Sequence, residues 1–135
     1  MSRCTQTLLI LLIGLVCAPL QAEMIWIEGE AASSKEMRGH GWYDSVKKAE
    51  LSGGEWLSHF HQGDSPIASY QFNAEQSGDY DFWIRANTVA AKYSIRLNDG
   101  PWTTVSLDKT EQTVNLASDG KPDLRFVSWV NAGNV

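Results

Sequence analysis

The chain has 135 residues, of which 11 are basic and 16 acidic, giving a net charge of −5. That length suits a single domain, and the absence of a basic stripe argues against nucleic acid as a partner. Both cysteines, Cys4 and Cys17, fall within the first 22 residues, so the remainder has neither thiol chemistry nor a disulfide framework.

Arg3 precedes a short apolar run, residues 8–16 (LLILLIGLV), and Ala22 closes a plausible cleavage region. The run is too short for an ordinary spanning helix, so residues 1–22 read as a signal peptide rather than an anchor. Val16, where a small residue is wanted before Cys17, argues against lipidation. The expectation is a secreted or periplasmic domain over residues 23–135, with no membrane association after cleavage. Without Arg3 it carries ten basic and sixteen acidic residues, net −6. All six Trp, four Tyr and four Phe lie in it, so some rings must form the core.

Residues 24–30 (MIWIEGE) predict a first strand, with Met24, Trp26 and Glu28 on one face. A polar loop ends in Gly39-His40-Gly41, before Trp42 and Tyr43. Residues 46–51 fit either a short strand or one helical turn. Ser52-Gly53-Gly54 and Gly63-Asp64-Ser65-Pro66 break the chain. Residues 67–72 alternate as a strand that should bury Ala68, Tyr70 and Phe72.

Residues 78–102 hold the clearest pattern. Tyr80, Phe82 and Ile84 share one face, opposite Asp79, Asp81, Trp83 and Arg85. A second strand sets Tyr93, Ile95 and Leu97 against Ser94, Arg96 and Asn98, and the turn Asn98-Asp99-Gly100-Pro101 follows. The apolar sets are expected in the core, which leaves Trp83 on the wet face. Residues 103–107, 113–116 and 124–130 complete the strands. Many short strands at regular spacing predict an all-β fold, an antiparallel β-sandwich or jelly roll. Residues 129–135 read as a strand running into a turn. Such a strand would leave an edge unpaired, which favours the N-terminal piece of a longer protein, with the last strand of the domain missing.

Ile27-Glu28-Gly29-Glu30-Ala31, Leu51-Ser52-Gly53-Gly54-Glu55-Trp56-Leu57, the Gly78 to Arg85 strand, Leu97-Asn98-Asp99-Gly100-Pro101-Trp102 and Leu124-Arg125-Phe126-Val127-Ser128-Trp129-Val130 together resemble the galactose-binding-like β-sandwich carbohydrate-binding modules. The resemblance covers most of residues 23–135. It implies an N-terminal domain of a large exported bacterial protein, often a polysaccharide-degrading one. It also implies a structural calcium near the first strand, held by glutamates such as Glu28 and Glu30. Fold follows from such a likeness more readily than ligand does.

Glu28 and Glu30, two apart on a strand, would share a face, and calcium takes several oxygen ligands. The plainer alternative is a pair of solvated glutamates. His59, His61 and His40 have the chemistry for zinc, but their spacing assigns no converging site, and loop histidines are the simpler reading. Trp42, Tyr43, Trp83 and Trp129 are candidate sugar platforms, since a ring face covers the C–H face of a pyranose. Core packing is the alternative for each. Asp79 and Asp81 share a face without the spacing evidence that glycoside hydrolysis needs, and no nucleophile or phosphate motif is present.

The expected function is a non-catalytic carbohydrate-binding module whose partners are a glycan or polysaccharide and a downstream catalytic domain. The alternative is a structural β-sandwich that packs against that neighbour and binds no sugar.

Overall fold

The structure, a computed structural model, describes residues 23–39, 41–60, 65–121 and 124–135, with Trp42 described by its backbone alone. The expected signal peptide, His40 and His61 lie outside the described residues.

Among the described residues, seven strands appear in chain order: β1 (Ser34–Lys35), β2 (Ala68–Ser69), β3 (Asp81–Ala86), β4 (Tyr93–Ile95), β5 (Thr103–Val105), β6 (Glu111–Asn115) and β7 (Phe126–Asn134). They form three antiparallel sheets: β1 with β2, β4 with β5, and a three-stranded sheet in the order β3-β7-β6. Short 3₁₀ turns at Gly29–Ala31, Gly41–Asp44 and Lys48–Glu50 are the only helical elements among the described residues. The all-β, antiparallel expectation therefore holds.

β3 keeps its predicted alternation. Phe82 and Ile84 are half-buried, while Asp81 and Trp83 are exposed. The β4–β5 hairpin forms where the turn residues required it. Asn98 sits at φ 50°, and the Gly100 N–H donates to the Leu97 carbonyl at 3.0 Å. Asn tolerates that left-handed backbone better than most residues. Past the last ladder pair, Ile95 with Thr103, the Arg96 guanidinium lies 4.8 Å from the centre of the Trp102 ring.

Val46, Leu116 and Val127 form the centre of the core, with Leu51, Trp56 and Val114 packed against them. Val46 reaches it through both expected forms at once, an isolated bridge to Ala117 followed by the Lys48–Glu50 turn. Val105 and Val130 are also buried, and so are Ser128 and the whole of Arg125. Ser128 and Thr113 satisfy each other through their hydroxyls at 2.8 Å.

Four expectations need correction. Residues 23–28 join no ladder, and Glu30 stands in a 3₁₀ turn rather than on a strand. The Tyr70 hydroxyl donates to the Gly29 carbonyl at 2.7 Å, and the Ala31 N–H donates to the Glu28 carbonyl at 3.1 Å, which turns the chain there. Phe72 is 49% exposed, because β2 ends at Ser69 and the alternation beyond it faces no sheet. Leu97 is 42% exposed, because it belongs to the hairpin turn. The terminal segment is not an unpaired edge. β7 runs on to Asn134 as the central strand, and reciprocal Tyr80–Val135 backbone bonds of 2.9 Å extend its ladder with β3.

Candidate functional site

Residues directly opposite in an antiparallel ladder project from the same face. Arg85 and Glu111 both lie opposite Trp129, one on each side, so these three form a row across the sheet. Trp83 lies opposite Asn131 two positions along, and forms the next row on that face. Trp83 and Trp129, both candidates from sequence, are thus neighbours on one surface.

Irregularities flank these rows. Between Phe82–Gly133 and Trp83–Asn131 the ladder skips Ala132, and Gly133 takes φ 106° while the Asn131 side chain accepts its N–H at 2.8 Å. Between Glu111–Trp129 and Val114–Val127 the extra residue lies on β6, where Gln112 is held at φ 50°. Bulges of this kind re-aim side chains and recur beside binding sites.

The result is an open groove of about 460 Å³ lined by Trp83, Ser106, Asp108, Lys109, Glu111 and Asn131. That size falls within the range of small-ligand sites. Trp83 is 39% exposed and offers its apolar surface there. Ser106, Asp108 and Lys109 come from the β5–β6 connection, with the Ser106 hydroxyl donating to Asp108 Oδ2 at 2.8 Å. An aromatic face ringed by hydroxyl, amide, carboxylate and ammonium groups can cover an apolar ligand face and bond its hydroxyls.

Trp129 has a different setting. It is half-buried, and Trp26 meets it edge-on with ring centres 5.8 Å apart. The Trp26 indole N–H donates to Glu28 Oε1 at 2.7 Å, and the Ser52 hydroxyl donates to Oε2 at 2.7 Å. Ser52 first, then Trp26, and more distantly Arg85, hold the Glu28 carboxyl below the usual carboxylate range. The Glu28 and Glu30 carboxylates do converge, although not on a strand face: a Cβ added at Gly53 would collide with Glu30 Oε1 and lie 3.7 Å from Glu28 Cδ. Among the described residues no third acidic, histidine or cysteine side chain joins them as a metal-holding group. Calcium ordinarily takes six to eight oxygens, some of them from backbone carbonyls and water.

Tyr43, in the Gly41–Asp44 turn, belongs to another cluster. Its ring meets Trp56 edge-on at 5.6 Å and Phe60 at 6.3 Å, and its carbonyl accepts the Trp56 indole N–H at 3.1 Å. Trp42 shares that turn. Tyr43 also lies close enough to Tyr93 to add to the effect of burial in pushing up the Tyr93 hydroxyl. His59 accepts the Arg38 N–H at Nδ1 at 3.1 Å, which makes it part of a backbone contact.

Of the groove residues, sequence reasoning found Trp83 alone. Ser106, Asp108, Lys109, Glu111 and Asn131 follow no periodic pattern. The one available signal was a tryptophan on a wet strand face, which called for a partner surface.

The described residues define an all-β protein with an open surface groove that Trp83 and five polar residues line. No family model, no curated protein and no solved structure matches the chain.

Proposed function

We propose that this chain is a non-catalytic carbohydrate-binding module of a secreted, polysaccharide-processing protein, and that it holds a glycan in the Trp83 groove. The observation that carries this reading is a large indole left 39% exposed amid five polar side chains. Isolated Trp is ordinarily covered, and sugar rings are a chemistry that suits both its face and its polar surround. The galactose-binding-like resemblance and the leader sequence support the same reading. A neighbouring catalytic domain would be tethered to its substrate by this contact.

Affinity electrophoresis through gels containing neutral, amino and acidic polysaccharides tests it. At least one polymer should retard the wild type, and Trp83→Ala should migrate freely with an unchanged melting temperature. A folded wild type that no polysaccharide retards would overturn the proposal.

A second reading, a structural domain that packs on its neighbour without binding sugar, draws on Phe60, Phe72 and Leu124, which are 53%, 49% and 54% exposed. It predicts that the isolated domain self-associates in a concentration-dependent way, and that replacing these three with Ser removes the association.

A further inference from the structure

We infer that the Trp83 groove selects glycans bearing free amino groups and turns away uronic acids. This inference rests on the glycan-binding reading above and gives its ligand a charge. The groove holds two carboxylates, Asp108 and Glu111, against one ammonium, Lys109. Glu111 lies on β6 directly opposite Trp129, in the row adjacent to Trp83 and Asn131. Its side chain makes no hydrogen bond or ion pair with the described residues, and Asp108 is engaged by Ser106 at Oδ2 alone. Carboxylate oxygens therefore remain for a donor on the ligand.

A sugar ammonium would meet three favourable features there. Charge-assisted bonds to carboxylates are about twice as strong as neutral ones. The indole face attracts cations as well as C–H groups. The net charge of −5 on the whole chain adds a long-range field of the same sign. A uronate would face the reverse on all three counts, with Lys109 in the groove and Arg85 in the neighbouring row as its attractions.

The test compares three oligosaccharides of equal length by calorimetry at physiological ionic strength. They are a glucosamine tetramer, its fully N-acetylated counterpart and a galacturonate tetramer, in buffer acidic enough to keep the amines charged. The amine form should bind about tenfold more tightly than the acetylated form, and the uronate should not bind. Glu111→Gln should reduce the preference for the amine form to about twofold or less. Trp83→Ala should weaken both.

Equal binding of the amine and acetylated forms would overturn the inference and leave the glycan reading standing. So would tightest binding of the uronate. Amine binding that survives in Trp83→Ala and Glu111→Gln would mark general attraction to an acidic protein, and would overturn the inference too. No binding by any of the three, with no retardation in the polysaccharide gels, would sink both.

Discussion

Arg125 donates from Nη2 to Asp119 Oδ1 at 2.7 Å, and the two partners occupy different media: the arginine side chain has no exposed surface, while 38% of the aspartate side chain is exposed. Nη1 donates to the Ser45 carbonyl at 2.6 Å, so the buried cation ties the Val46 segment to β7. Arg125→Ala removes packed volume and the shorter of two bonds to that carbonyl, which keeps only the Ser118 N–H at 3.2 Å. It is expected to cost about 3 kcal/mol in urea denaturation. Arg125→Met should recover much of the loss, because an apolar replacement restores volume without a buried charge. A Met variant no better than Ala would show that the guanidinium bonds, not the packing, dominate.

The same pair sets a pH dependence. Hydrogen bonding from Arg125, then the Lys121 N–H, holds the Asp119 carboxyl below its ordinary value. A carboxyl depressed on folding stabilises the native state above its unfolded pKa. That stabilisation is lost as pH falls through the depressed native value. The melting temperature should therefore drop below about pH 4. Asp119→Asn should have a lower melting temperature at neutral pH and a shallower acid limb. Some acid sensitivity should persist, because Glu23 is lowered by the Tyr80 hydroxyl and Glu28 by Ser52. Identical acid limbs in wild type and Asp119→Asn would count against the pair as a source.

β3, the hairpin and its turn could be read from residues 78–102, because there the physics is local: period-two alternation and backbone that Asn and Gly tolerate. The pairing of β3 with β7 could not, since nothing near Trp83 names Asn131 as its partner. Nor could the placement of Arg125. A basic residue within an apolar strand reads as solvent-facing until the Ser45 carbonyl and Asp119 are brought to it from elsewhere in the chain. The bulges that shape the groove are equally silent in sequence. The alternation of residues 67–72 misled for the opposite reason: a pattern fit for a strand found a ladder only two residues long.

Trp83 and Trp129 sit in adjacent rows, yet they should respond differently to truncation. Trp129 is half-buried against Trp26 and flanked by Arg85 and Glu111. Trp129→Ala is expected to destabilise by about 3 kcal/mol, toward the lower end for a large aromatic because part of the ring is exposed. Trp83→Ala should cost well under about 1 kcal/mol, as for surface positions generally, and act on ligand retention instead. Denaturation midpoints for the two variants separate these roles. A large stability loss at Trp83 would assign it to the scaffold.

Gln112 tests the groove's framework. Its φ of 50° places a side chain with a Cβ in the left-handed region, at the extra residue of β6. Gln112→Gly relieves that strain but frees the unfolded chain, so the two effects oppose each other and the net change should lie within about 1 kcal/mol. Gln112→Val, β-branched at positive φ, should lose about 1–2 kcal/mol. It should also weaken glycan retention, because a straightened β6 would shift Glu111. Loss of stability without any change in retention would show that the bulge serves the fold alone.

The paired glutamates yield the last prediction. Two carboxylates converging near Gly53 repel each other unless something neutralises them. The structure supplies two donors to Glu28, from Trp26 and Ser52, with Arg85 acting on the same carboxylate at longer range. Glu28 is thus stabilised as an anion by the protein's own groups. Treatment with EDTA should accordingly leave the melting temperature unchanged. Ser52→Ala should lower it modestly and raise the Glu28 pKa toward its ordinary value, readable by carboxyl-selective NMR titration. The opposite pattern would assign the pair to a cation: a drop of several degrees on chelation, restored by added calcium, and absent in Glu30→Gln. In that event further oxygens from backbone or water would have to complete the shell.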